Sequence, residues 1–302
     1  MRLCMVGCGR WGRSYLKTIK PLESVNVDWI VIRKTIPKLQ EAFSFSYDLD
    51  KLLEIEFFDG VVIASPPDTH FDLVRICLKH KLPVLVEKPF TKSYEQSSFL
   101  KEEFDKKGLI CMVGYQHLFS EKYKLLKNQA SKGGEIKTVY SIAISDGPYR
   151  ENITVVRDWG SHEIATALDL YKEHPTSMSI SKVKNSYTNQ YKGLYYLEMY
   201  FSNDRKFNSL FGNQSITKKK QLILELDNGF IYLDNLDQAS NIVTSQNKFL
   251  NLSQLNVHYE MPLETLVKEF KCNVKNNIRS PILELSVNVN KILDELEISF
   301  RE

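Results

Sequence analysis

The chain has 302 residues, 43% hydrophobic and 25% charged, and its 40 Lys+Arg against 37 Asp+Glu give a net charge of +3. That apolar share is enough for a sizeable core, which excludes disorder, collagen-like repeats and a small disulfide-stapled scaffold. A charge so near balance gives no argument for nucleic acid, and no apolar run reaches the roughly 18 residues of a membrane span.

In chain order, apolar runs over residues 3–6, 27–32, 60–64, 83–86 and 109–113 read as strands buried on both faces. Amphipathic stretches over 13–19, 37–43, 69–79 and 94–106 read as the helices between them. This alternation implies an α/β unit with a doubly wound parallel sheet and right-handed crossovers. After residue 115 the pattern changes: a helix over 120–131, a strand over 137–145 and a helix over 161–171 are expected. Strand-like segments follow at 178–186, 194–201, 206–212, 221–227 and 229–234, the last two joined by the hairpin turn Asp227-Asn228-Gly229. Helices resume at 262–276 and 281–297, and Lys218-Lys219-Lys220 reads as a solvated approach to a strand. The expected division is 1–117, then 118–302 as an α+β domain with a mostly antiparallel open sheet, its last helix able to pack back on the first domain.

The first strand runs into Gly7-Cys8-Gly9-Arg10-Trp11-Gly12, a Gly-x-Gly-x-x-Gly turn that opens a helix. Gly7 permits the tight turn, Gly9 lets a pyrophosphate approach the backbone, and Gly12 allows close helix–strand packing. The helix N-terminus adds free amides and positive potential. The context predicts a Rossmann dinucleotide site. The acid that normally binds the NAD ribose about 20 residues on is missing. Arg33-Lys34-Thr35 stands there instead, offering two cations and a hydroxyl to a 2′-phosphate, which favours NADP over NAD.

Three further segments sharpen this reading: Ser65-Pro66-Pro67-Asp68-Thr69-His70 after the third apolar run, Glu87-Lys88-Pro89 after the fourth, and Asp158-Trp159-Gly160-Ser161-His162 in the second half. Together with the glycine turn they resemble the glucose–fructose oxidoreductase/inositol dehydrogenase (Gfo/Idh/MocA) family over the first 170 residues. The resemblance implies hydride transfer between nicotinamide and a carbinol or carbonyl carbon of a sugar, cyclitol or nucleotide sugar, in a homodimer or homotetramer. It places the catalytic roles on Lys88, Asp158 and His162, with Ser65, Pro66, Pro67, His70 and Glu87 near the cofactor.

The residue types suit that chemistry. Alcohol oxidation needs a base near neutral pKa, which imidazole supplies, and an ammonium favours a developing alkoxide. Asp158 lies one helical turn before His162 and is placed to orient it. The plainer readings are an ordinary loop lysine, an N-cap aspartate and a structural histidine. Gly114-Tyr115-Gln116-His117-Leu118-Phe119 departs from the Arg-Arg-Phe-like stretch common in the family and resembles members acting on nucleotide-linked sugars. Tyr115 and His117 there either touch substrate or pack the domain junction. The segment 146–150 reads as a substrate-facing loop carrying Tyr149 and Arg150, with Arg150 and Arg157 as partners for phosphate or carboxylate.

His80, His174 and His258 lack ligand spacing, so no metal is expected. Cys4, Cys8, Cys77, Cys111 and Cys272 form no Cys-x-x-Cys pair. With no export signal before the first strand, a reduced, cytoplasmic protein is expected, with no membrane partner. Two other functions fit the same residues: a non-catalytic NAD(P)-binding regulator, and a reductase of a non-sugar substrate. Retention of Lys88, Asp158 and His162 together speaks against the first.

Overall fold

The computed structural model describes residues 1–33, 36–151, 153–183, 191–234, 241–244, 249–251 and 261–299. The chain divides into two units, Met1–Phe119 with Met261–Asn290, and Ser120–Glu260 with Lys291–Glu302.

In the first unit, β1 (Arg2–Val6), β2 (Asn26–Val31), β3 (Ser44–Ser46), β4 (Gly60–Ile63), β5 (Val84–Val86) and β6 (Cys111–Val113) form a sheet in the order β3-β2-β1-β4-β5-β6. Every pairing is parallel. Leu3, Met5, Val61, Val62, Ile63 and Leu85 are fully buried, as strands covered by helices on both faces require. Those helices are α1 (Arg10–Ile19), α2 (Leu49–Ile55), α3 (His70–Lys79) and α4 (Tyr94–Lys107). Asp48 caps α2 by accepting from the Lys51 amide, and Ser93 caps α4 through the Gln96 amide. The strand order reverses between β1 and β4, and ligands of such sheets bind beyond the strand ends at that point.

Two expectations are corrected here. The helix expected over 37–43 is only a 3-10 turn at Pro37–Leu39, followed by β3 and α2, which the pattern did not reveal. A three-residue strand has too short a period to read, and α2 buries only Leu49 and Leu52. In place of a single cut at residue 117, residues 261–290 return to the first unit. The cause is α7 (Pro262–Asn276), whose Phe270 ring fills the space left by Gly60: a Cβ there would lie 3.2 Å from the ring. Asn273 adds a contact to Met112 Sδ at 3.3 Å.

The second unit holds β7 (Ile136–Asp146), β8 (Ser177–Lys182), β9 (Leu194–Tyr200), β10 (Lys206–Gly212), β11 (Gln214–Leu226), β12 (Gly229–Asp234), β13 (Asn241–Thr244) and β14 (Phe249–Asn251). They run in the order β14-β13-β12-β11-β7-β10-β9-β8, antiparallel except for β7 beside β10. α5 (Glu121–Ala130) and α6 (Ser161–Tyr171) belong to this unit, and α8 (Ile282–Ser299) starts in the first and ends in the second. The strand expected from residue 221 begins at Gln214, so Lys218, Lys219 and Lys220 lie within β11, all exposed. The register of β11 against β7 shifts between Gln214 and Lys219, which hid the early start.

One face of this sheet buries Val139, Leu197, Phe207, Phe211 and Leu224. Among them Glu163 of α6 is buried, accepting a bond from Ser209 Oγ at 2.7 Å. Burial pushes its carboxyl above the usual range, opposed by the Ser141 and Ser209 hydroxyls and by Lys220. An acid whose pKa is higher folded than unfolded contributes stability below its unfolded pKa and loses it as pH rises through the folded value. Stability is therefore expected to fall as pH rises above about 4.5, the ordinary value for Glu. Glu163→Gln is expected to remove that part of the slope and raise the melting temperature at neutral pH. Melting curves of both proteins across pH check this.

Candidate nucleotide and catalytic site

At the carboxyl end of β1 the chain turns at Gly7, with φ +89°. A Cβ on Gly7 would lie 2.8 Å from the Ala64 oxygen and the Ser65 nitrogen, so β4 and its following loop approach the turn too closely for any side chain. A Cβ on Gly12 would lie 2.2 Å from the Gly7 oxygen, which fixes α1 against the turn. Gly9 differs: nothing lies within 4 Å of its Cβ position. It is the N-cap of α1, where no side chain bonds the first amides and no acid occupies the first turn. Two glycines make the cradle and the third leaves it open, as a pyrophosphate on the helix amides requires. Cys8 is buried in the turn, Trp11 is half-buried and Arg10 exposed. Arg33 is exposed just beyond β2. Lys34 and Thr35, expected beside it, lie outside the described residues.

Glu87-Lys88-Pro89 follows β5. Glu87 is buried and accepts bonds from Tyr15 Oη at 2.8 Å and Gln116 Nε2 at 3.3 Å. Burial raises its pKa, with the Tyr15 and Gln116 bonds and Lys88 opposing. A Cβ on Gly114 would lie 2.9 Å from Glu87 Oε1, so that glycine makes room for the carboxylate. Glu87 thus ties the strand end to α1, the helix that opens at the nucleotide turn. On the other side, His70 is fully buried, with Nδ1 2.9 Å from the Pro89 oxygen and Nε2 3.0 Å from the Ser65 oxygen. Asn290 Nδ2 bonds Thr91 Oγ1 at 2.9 Å. Lys88 is held between these anchors, only 9% exposed.

His70 has both ring nitrogens against backbone carbonyls and so braces the Ser65 and Pro89 loops. Tyr115, expected at the substrate, is fully buried with its ring edge-on to His117 at 6.3 Å. Ser65 accompanies Thr69, their hydroxyls 2.6 Å apart, and Pro66 and Pro67 lead into the turn before α3.

In the second unit β7 leads to Gly147-Pro148-Tyr149-Arg150, and a π-helical turn at Val156–Gly160 runs directly into α6. Asp158 sits in that turn with its amide bonded to the Thr154 oxygen, not at a helix N-cap. Its carboxylate meets Arg150 Nη1 at 2.9 Å and is 9% exposed. Gly160 lets the turn seat on β10, since a Cβ there would lie 3.0 Å from the Phe211 ring. His162 is half-buried at the start of α6. Arg157, expected as a partner for phosphate or carboxylate, binds Asp294 and Glu297 through its guanidinium. The first unit thus gathers Gly7, Gly9, Gly12, Ser65, Glu87 and Lys88 at its strand ends. The second gathers Tyr149, Arg150, Asp158 and His162.

Sequence reasoning missed Tyr15, Gln116 and Asn213. Tyr15 follows Gly12 on the inner side of α1, a position that reads as plain core. Among the described residues no group of three His, Cys, Asp or Glu is placed to hold a metal, and no helix is long and apolar enough to cross a membrane.

The fold and the turn define a protein with a Rossmann nucleotide-binding unit joined to an open-sheet α/β unit. Residues 1–115 match the Gfo/Idh/MocA model, described as an oxidoreductase family with NAD-binding Rossmann fold. It is 32% identical over 96 residues to scyllo-inositol 2-dehydrogenase (NAD(+)) of Bacillus subtilis strain 168, covering 32% of this chain and 28% of the relative. It is 25% identical over 138 residues to 4-carboxy-2-hydroxymuconate-6-semialdehyde dehydrogenase of a Sphingobium species, covering 44% of each. The matched stretches therefore span less than half the length of either relative. A crystal structure from Magnetospirillum magnetotacticum MS-1 is 25% identical with a TM-score of 0.86, covering 98% of this chain and 99% of that one.

Proposed function

We propose that the protein is an NAD(P)-dependent oxidoreductase acting on a carbinol or carbonyl carbon of a cyclitol, sugar or nucleotide sugar. The observation that carries this reading is the open Gly9 cradle on the uncapped N-terminus of α1, with Lys88 held at the end of β5, two strands away in the same sheet. When bound, the nicotinamide accepts or gives the hydride. Lys88 donates hydrogen bonds to the reacting oxygen and favours its anionic form, and His162 takes or returns the proton. Asp158, fixed by Arg150, orients the start of α6. Arg33, with no acid before it at the end of β2, favours NADP.

The test is denaturing release of nucleotide from the purified protein, identified by mass, together with thermal shifts for NAD and NADP. Bound nucleotide is expected, and Arg33→Asp is expected to weaken NADP relative to NAD. No nucleotide and no shift with either would remove the reading. The semialdehyde dehydrogenase relative supports one second reading, the same chemistry on a non-sugar substrate.

We place self-association on the sheet face of the second unit opposite its buried one. Tyr140, Tyr196, Tyr200, Ile223 and Phe230 are exposed there, an apolar face that a second copy of the chain would cover. Tyr140→Glu is expected to turn a dimer or tetramer into smaller species by light scattering, with nucleotide binding unchanged.

A further inference from the structure

The second unit carries an arrangement that hydride and proton transfer do not use. β7, β8 and β10 end on one side of the sheet, where β9 and β11 begin. That side collects Arg150 after β7, Lys182 at the end of β8, Lys192 just before β9, and Lys218, Lys219 and Lys220 in the first half of β11. On the opposite side Lys137 pairs with Glu135 and Asp227, and Arg205 with Glu173 and Glu135. Lys192, Lys218 and Lys219 make no salt bridge among the described residues.

Asn213, 3% exposed, fixes two of these cations. Its backbone accepts from the Gly147 amide at 2.9 Å and donates to the Gly193 oxygen at 3.2 Å. Its side chain accepts from the Gly193 amide at 3.1 Å and donates to the Tyr191 oxygen at 2.9 Å and the Pro148 oxygen at 3.4 Å. All four polar groups of one buried residue are used to hold segment 147–150 against segment 191–193. The result seats Lys192 Nζ 4.5 Å from the centre of the Tyr149 ring, and Arg150 is the next residue in the chain. Tyr149 remains 45% exposed, with its hydroxyl donated to Asp146. Arg150 gives Nη1 to Asp158, and its fork has further donors to offer.

We propose that Lys192, held beside the Tyr149 ring, and Arg150, the next residue after that tyrosine, form a subsite for an anionic group, so that the substrate is a carbohydrate bearing a phosphate or carboxylate. This rests on the oxidoreductase reading for its reaction, but not for its binding. A neutral polyol needs hydroxyl partners, not a row of cations, and ion pairing to a guanidinium and an ammonium would discriminate against it. The exposed ring face suits the apolar side of a sugar.

The test titrates the full chain by calorimetry with glucose, glucuronate, glucose 1-phosphate and UDP-glucose, with and without saturating NAD. At least one charged probe is expected to bind about tenfold or more tighter than glucose, as one charge-assisted contact supplies. Which probe does so separates a carboxylate from a phosphate and from a diphosphate link. Lys192→Glu and Lys192→Ala are expected to abolish the preference. Lys132→Glu, which changes a charge before β7 on the other side of the sheet, should keep it. Equal binding of all four probes, no binding of any charged probe, or a preference that survives both Lys192 substitutions overturns the subsite. A charged preference in a protein that binds no nicotinamide nucleotide would keep the subsite and remove the oxidoreductase reading.

Discussion

Lys88→Ala is expected to lower kcat by about 10²–10⁴-fold, the range for loss of a positioned proton-transfer group, while nucleotide affinity stays within a small factor. The separation follows from how the side chain is held. Its backbone is fixed on one side by Glu87, bonded to Tyr15 and Gln116, and on the other by His70 against the Pro89 oxygen. None of these bonds uses the Lys88 ammonium, so truncating it leaves the strand end and the glycine turn in place. The free amides of α1 are untouched, and nucleotide binding is governed there. Lys88→Arg keeps the charge but replaces a compact ammonium with a planar fork, so partial activity at best is expected. The measurement is kcat and KM beside a direct nucleotide titration for each variant. A loss of nucleotide affinity equal to the loss of turnover would make Lys88 a binding residue, and unchanged turnover would remove it from the site.

The same anchors show why some of this was legible in the sequence and some was not. Gly7, Gly9 and Gly12 were readable from their spacing after a strand, and the structure shows two positions too crowded for a side chain and one open one. Lys88 was readable because a strand end in a parallel sheet has a fixed place. The residues that hold these groups carry no local signal. Tyr15 and Glu87 are 72 positions apart, and Asn213 acts through backbone segments near 147 and 193. Each is an ordinary residue until the fold brings its partners. The full burial of His70 and Tyr115 is likewise not written in the spacing of the motifs around them. The return of α7 to the first unit is a long-range packing fact of the same kind.

Arg157 is the case where that blindness has the largest energetic consequence. Its Nη2 lies 2.5 Å from Asp294 Oδ1 and 2.8 Å from Glu297 Oε2, and its Nε lies 2.8 Å from Glu297 Oε1. Thr154 Oγ1 donates to the same Glu297 oxygen at 3.3 Å. The Arg157 side chain is 15% exposed and the two acids are 30% and 24% exposed, so the cluster is shielded but not dry. Removing one member of a fully buried pair costs about 3–5 kcal/mol, mostly because the other charge is stranded, and exposed pairs are worth under about 1 kcal/mol. Arg157→Ala, which takes the guanidinium from two partly shielded carboxylates, is therefore expected to destabilise the protein by about 2 kcal/mol. The combination Arg157→Met, Asp294→Asn and Glu297→Gln leaves no charge behind and is expected to recover most of that loss. Denaturant unfolding of the two variants against the parent checks both. Because Arg157 belongs to the π-helical turn that carries Asp158, the single variant should also lower turnover, and the triple variant should restore it. A triple variant as unstable as Arg157→Ala, although Met restores an apolar stem, would show that the ion pairs themselves hold the turn.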